Sequence, residues 1–212
     1  MPKYNLKKVL NQNIFSFQCP DHLIKKIDAY YKLINWDKVA KRNNKKSKFE
    51  NGRSYIPEGN SLTKIEELDS LHTWFKIAAN SVRESVGWDK EFIKKIKISQ
   101  SWLNYSKKGE VHHLHSHGLS LLSGILYLTE PSSTQFFIPS IYSLPSCIAS
   151  KSDSEILIKE HYEGKKGELI IFPSKLDHWV GPNMSMNKRI TLSFNTWFEG
   201  EAGIAKNLCY IP

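Results

Sequence analysis

From Arg189 to Phe198 the sequence alternates strictly. Arg189, Thr191, Ser193, Asn195 and Trp197 fall on one side, and Ile190, Leu192, Phe194, Thr196 and Phe198 on the other. A period of two is that of a β-strand, and here it gives one polar and one apolar face. Seven further runs rich in Ile, Val, Thr, Tyr, Phe and Trp precede it, at 96–105, 110–117, 121–129, 135–138, 155–162, 168–172 and 178–180, with the last strand at 188–198. Gly, Pro, Ser and Lys turns separate them. Before these strands the period changes to that of helices. Leu23, Ile24, Ile27, Tyr30 and Tyr31 form one apolar stripe over 21–34, after a short extended lead-in. A second stripe headed by Ser61 runs through Leu62, Ile65, Leu68, Leu71, Trp74, Phe75, Ala78, Val82 and Val86 to Gly87. This spacing predicts a long amphipathic helix with a glycine stop. Helices followed by many short strands predict an α+β, mainly β fold, a sandwich or jelly roll with helices against one sheet. In a closed jelly roll, the polar face of the last strand can line a wet cavity.

With 212 residues and no repeat or linker, the sequence predicts one domain over 1–212, with a helical part at 1–95 and a β core at 96–198. Cys19, Cys147 and Cys209 are scattered and odd in number, which argues against a disulfide framework or zinc ribbon. No apolar run reaches the length of a membrane span, and the first residues lack the pattern of a signal peptide, so a cytoplasmic protein is expected. The net charge of +9 is concentrated near the N-terminus. Residues 1–60 hold 13 Lys/Arg and 5 Asp/Glu, and Lys38, Lys41, Arg42, Lys45, Lys46 and Lys48 form a run without acids. Such a run can attract a polyanion. Yet the chain has 26 Lys to 4 Arg, whereas base readout and bidentate phosphate recognition favour Arg. Nucleic acid is therefore a possible partner but not the favoured one, and no membrane partner is expected.

Four of the eight histidines lie within six residues, as His112, His113, His115 and His117. In a regular strand His113, His115 and His117 project to one face and His112 to the other. Imidazole is the commonest side-chain ligand for divalent transition metals, and an HxH pair on one strand face presets two coordination directions. Downstream, the buried run Leu169 to Phe172 leads through Pro173 to His178, and eleven residues later comes Arg189 with Thr191 on the same face. A distant histidine joining an HxH pair gives three facial ligands with open positions opposite them. An arginine on the same cavity face can hold a carboxylate through its planar fork.

The ordered set Asn104-Tyr105, Gly109, His115-x-His117, the run Leu122 to Leu128, the run Gly167 to Ser174, His178, Pro182 and Arg189-Ile190-Thr191 resembles the iron(II) and 2-oxoglutarate-dependent dioxygenases. Within them it resembles a subgroup with HxH, LSGxxY, FPSxxxH and a terminal RxS/T. The resemblance covers about residues 96–198. It implies a double-stranded β-helix with N-terminal helices packed on one sheet. It also implies Fe(II) held by His115, His117 and His178, which makes these the catalytic centre, with 2-oxoglutarate as cosubstrate and O2 as oxidant. Arg189 and Thr191 would receive the far carboxylate of 2-oxoglutarate. Tyr105 matches a tyrosine near the cosubstrate in related prolyl hydroxylases, and Tyr127 stands on the next inner strand; both also suit a core. Asn104, Ser123 and Asn195 would line the same cavity, structural hydrogen bonding being the alternative role of each.

The larger superfamily usually has HxD, whereas this chain has His117 at the carboxylate position. Three neutral imidazoles leave the metal one positive charge richer, which still favours binding of a dianion. His117 can be the ligand, can stand behind a water or halide that fills the position, or can be replaced by His113. Two other functions fit the same residues: a three-histidine cupin-like dioxygenase that needs no 2-oxoglutarate, and a non-catalytic metal-binding jelly roll with a basic anion-binding segment. The motifs leave the primary substrate and the oligomeric state open.

Overall fold

The apolar runs of the β region are continuous rather than alternating because the central strands are covered on both faces. In the computed structural model, which describes residues 3–9, 12–43, 53–55, 61–139, 157–202 and 209–211, β1 (Asn5–Val9), β2 (Gln12–Gln18) and β3 (Arg53–Tyr55) come from the N-terminal part. They are followed by β4 (Ile93–Ser106), β5 (His112–His115), β6 (Leu122–Tyr127), β7 (Ser132–Pro139), β8 (Leu157–Gly164), β9 (Glu168–Pro173), β10 (Asp177–Val180), β11 (Arg189–Ala202) and β12 (Cys209–Ile211). The larger sheet runs β1-β2-β9-β6-β11-β4-β3, with β12 paired to β11; the smaller runs β5-β10-β7-β8. All pairings are antiparallel.

Two helices, α1 (Asp21–Lys32) and α3 (Asp69–Ser85), cover one face of the larger sheet, while α2 (Trp36–Asn43) lies between α1 and β3 in the chain. On β9, Leu169 and Ile171 pack towards the helices, against Leu23, Ile27, Phe75 and Val82; Ile170 and Phe172 pack towards the smaller sheet, against Phe136 and Tyr162. Strand β6 divides the same way, with Leu122 and Leu126 on the helical side and Ile125 and Tyr127 between the sheets. Each such Leu, Ile or Phe removed from water stabilises the fold by roughly 1.5–3 kcal/mol. The two sheets enclose the cavity that holds the site, and the helices stiffen its floor from behind.

Three sequence expectations need correction. The N-terminal part is not only helical: β1 and β2 extend the larger sheet through β2–β9 pairing, and β3 pairs with β4. Residues 14–17 of β2 are all buried, Ile14 between the sheets and Phe15 and Phe17 under the helices, so the strand lacks a solvent face. The stripe beginning at Ser61 is not one helix but two short 3-10 turns, Leu62–Lys64 and Glu66–Leu68, followed by α3. The Ser61 hydroxyl accepts the N–H groups of Thr63 and of Ser101 on β4, which ties the first turn to the sheet, and Ile65 is extended. Third, the strand expected at 110–117 is only His112–His115. Of the basic run, Lys38 is described and Lys41 and Arg42 belong to α2; Lys45, Lys46 and Lys48, like Cys147, lie outside the described residues. Among those described, no helix is long and apolar enough to cross a membrane.

Candidate metal and anion site

Antiparallel pairing of β10 with β5 sets His178 opposite His115. Their ring centroids are 4.2 Å apart; His117, just beyond the end of β5, stands 4.9 Å from His115 and 5.2 Å from His178. One nitrogen of each ring lies within 4.8 Å of the others. His178 is buried against Phe172 and Phe136, while His115 and His117 are half-buried, with Trp102 edge-on to His117.

The hydrogen bonds behind these rings fix their chemistry. His115 Nδ1 lies 2.7 Å from the His113 carbonyl and His178 Nδ1 2.9 Å from the Leu176 carbonyl. A carbonyl only accepts, so each Nδ1 carries the proton and each Nε2 keeps its lone pair. Burial holds the His178 imidazole down to a pKa of about 3, with His115 nearby adding to the effect. Burial and the same neighbour bring His117 to about 4. At neutral pH the His117 and His178 rings are uncharged, and the donor set fits a divalent transition metal. His113 is exposed and contributes its carbonyl to this arrangement rather than its ring.

His112 departs from the simple strand reading. Its ring packs 4.7 Å from His115, so His112, His115 and His117 gather on one side. Between His178 opposite His115 and Val180 opposite His112, β5 spends three steps where β10 spends two. The extra residue is a bulge, which reverses the alternation of side chains. His112 lines the cavity, and burial lowers its pKa to about 4 with the neighbouring histidines as further causes. Sequence spacing gave no signal of the bulge.

The space in this cavity open to the centre of a water-sized sphere is about 40 Å³. Arg189 enters it at the start of β11, paired with Ser106 of β4, and is only 7% exposed. Its Nη2 donates to the Glu110 carbonyl at 3.4 Å. Burial lowers its pKa, opposed by the nearby Glu110 charge. A buried guanidinium facing a cavity is a site for a carboxylate.

Thr191, Asn104, Ser123, Tyr105 and Tyr127 also reach the cavity wall. Asn104 is held by the Ser54 hydroxyl, which donates to its Oδ1 at 2.8 Å, and its Nδ2 donates to Ser193 Oγ at 3.0 Å and Thr191 Oγ1 at 3.5 Å. The Tyr127 hydroxyl is buried against Thr134 at 2.9 Å, and Tyr105 stacks on Trp36 with centroids 4.7 Å apart. Both tyrosines therefore build the wall as core aromatics. Asn195 is not part of the lining: it stands behind His117, between that ring and Ser123.

Residues 100–195 match the family described as "Putative 2OG-Fe(II) oxygenase". A search of curated proteins finds no match. Among solved structures, HygX from Streptomyces hygroscopicus, with nickel and 2-oxoglutarate bound, superposes with a TM-score of 0.57 at 10% identity, over 94% of this chain and 92% of that one. A prolyl-4-hydroxylase from Pseudomonas putida gives 0.53 at 14% identity, over 88% and 92%. These likenesses establish the shared jelly-roll fold. The matched segment begins on β4, ends on β11 and contains all three clustered histidines and Arg189, so it is in this core that the chain is similar to the 2OG-Fe(II) oxygenases.

Proposed function

We propose that the protein binds Fe(II) through His115, His117 and His178 and 2-oxoglutarate through Arg189 and Thr191, and couples oxidative decarboxylation of 2-oxoglutarate to hydroxylation of a primary substrate. The observation that carries this reading is a single cavity lined by both the three imidazoles and the buried Arg189 guanidinium. Iron bound there supplies dioxygen activation at the expense of 2-oxoglutarate. The chain's own groups bind and orient. The three Nε2 lone pairs hold the metal, the Arg189 fork and Thr191 hydroxyl hold a carboxylate, and Ile125, Tyr127, Phe172 and Phe194 keep that part of the cavity apolar. Exclusion of water strengthens the guanidinium–carboxylate attraction. Residues 1–212 act as one domain in this proposal, in the cytoplasm, where a buried reduced thiol such as Cys19 persists.

Anaerobic calorimetry on Fe(II)-loaded protein tests it, followed by admission of air and assay for succinate. One 2-oxoglutarate is expected per chain, with slow succinate release that a correct substrate accelerates. Metal-loaded protein that binds no 2-oxoglutarate overturns the reading in favour of a cosubstrate-independent three-histidine centre or a non-catalytic metal site.

A further inference from the structure

His115 and His178 have backbone carbonyls to receive their Nδ1 protons, whereas His117 has a side chain. Its Nδ1 lies 3.4 Å from Asn195 Nδ2, and Asn195 Oδ1 lies 2.9 Å from Ser123 Oγ. The two ends of a side-chain amide have the same shape but opposite chemistry, so the protons around it decide which end faces which partner.

Those protons can be counted from the buried hydroxyls next to Ser123. Ser120 Oγ accepts the Thr196 N–H at 3.1 Å and donates to the Leu122 carbonyl at 3.0 Å. Ser174 donates to Ser120 at 2.7 Å. With its single proton committed there, Ser174 can only accept from Ser123, 2.8 Å away. Ser123 thus gives its one proton to Ser174 and turns a lone pair towards Asn195. An N–H must meet that lone pair, so the proton count turns the amide end for end from this placement, with Asn195 Nδ2 against Ser123 and Asn195 Oδ1 against His117.

We infer that Asn195 is a positioning residue: its amide oxygen accepts the His117 Nδ1–H, and so holds His117 in the tautomer whose Nε2 faces the metal. The inference rests on the proposed metal site and assigns a role to Asn195 distinct from lining the cavity. The serine chain is the device that orients the amide, and the Ser174 carbonyl adds a second hold by accepting the His117 backbone N–H at 2.9 Å. Outer partners of metal-bound histidines of this kind typically affect metal affinity by about 10- to 100-fold.

The test uses full-length metal-free protein carrying ¹⁵N-labelled histidine, together with Mn(II) titration. Long-range ¹⁵N–¹H correlation is expected to show His117 as the Nδ1–H tautomer. Asn195→Leu, which offers no acceptor, is expected to lose that preference and to bind Mn(II) about 10- to 100-fold more weakly. Asn195→Asp keeps an acceptor and is expected to retain both the tautomer and most of the affinity. An Nε2–H tautomer at His117 in the wild type overturns the inference, as does unchanged Mn(II) affinity in a folded Asn195→Leu protein. If Asn195→Leu fails to fold, the wild-type tautomer and the Asn195→Asp titration decide between the same outcomes. Failure of wild-type protein to bind Mn(II) would instead refute the metal site itself, while the tautomer reports on Asn195 separately.

Discussion

His178 lies directly across the β10–β5 ladder from His115, and the same register places His178 between Phe136 of β7 and the cavity. Two of the three clustered imidazoles are therefore held by strand pairing in the smaller sheet, and His117 follows just beyond the end of β5. Replacing His178 with Ala removes the most buried of the three nitrogens and leaves two half-buried donors. Metal bound after dialysis, measured by elemental analysis on protein whose thermal unfolding remains cooperative, should fall to a small fraction of the wild-type amount. Full stoichiometry in a folded variant would show that His178 is not a ligand.

Arg189→Lys keeps the charge but loses the planar fork, and Arg189→Ala loses both. Truncating one partner of a buried charge pair costs about 2–5 kcal/mol, so the Ala variant should bind 2-oxoglutarate at least ~30-fold more weakly, with Lys between it and wild type. Calorimetry on Mn(II)-loaded proteins measures this order. Metal content should be unchanged, because a guanidinium has no lone pair to offer. Equal affinity in all three proteins would place the carboxylate elsewhere.

The residues that proved legible in the sequence act through short spacings on regular strands. His115 and His117 are two apart, Arg189 and Thr191 share the polar face of β11, and each apolar stripe of α1 and α3 marks its buried side. What escaped depends on partners remote in the chain. The bulge that turns His112 inward arises from pairing with Val180, and the role inferred for Asn195 needs His117, 78 residues away. Strand β2 escaped for a different reason. Ile14, Phe15, Ser16 and Phe17 are buried consecutively because helices cover one face and a second sheet the other, and that erases the alternation by which a strand is recognised.

His72 gives the fold a pH dependence independent of the metal ligands. Its Nδ1 donates to the Leu68 carbonyl at 3.0 Å, its Nε2 accepts from the Ser101 hydroxyl at 3.1 Å, and it is 1% exposed. Burial lowers its pKa from 6.5 to about 4. Because the unfolded chain binds this proton first, the contribution is complete above pH 6.5 and declines as pH falls towards 4. Between pH 7 and pH 5 the loss amounts to about 2 kcal/mol. His72→Gln cannot titrate, so urea unfolding at the two pH values should show a smaller decrease for it than for wild type. Parallel decreases would mean that His72 does not contribute.

Gly124 of β6 pairs with Phe194 of β11, and a methyl group at Gly124 would overlap the Phe194 ring. That ring is fully buried and cannot retreat freely, since Phe75 of α3 packs against it with centroids 4.7 Å apart. Gly124→Ala should therefore destabilise the protein through overpacking by about 1–3 kcal/mol. The strain belongs to a single pair, so its relief is testable. Phe194→Leu alone should be destabilising because it leaves a void, but combined with Gly124→Ala it should cost less than the two separate losses together. Urea unfolding of wild type, both single variants and the double variant supplies the cycle. Strict additivity would show that the glycine is not required by the Phe194 ring.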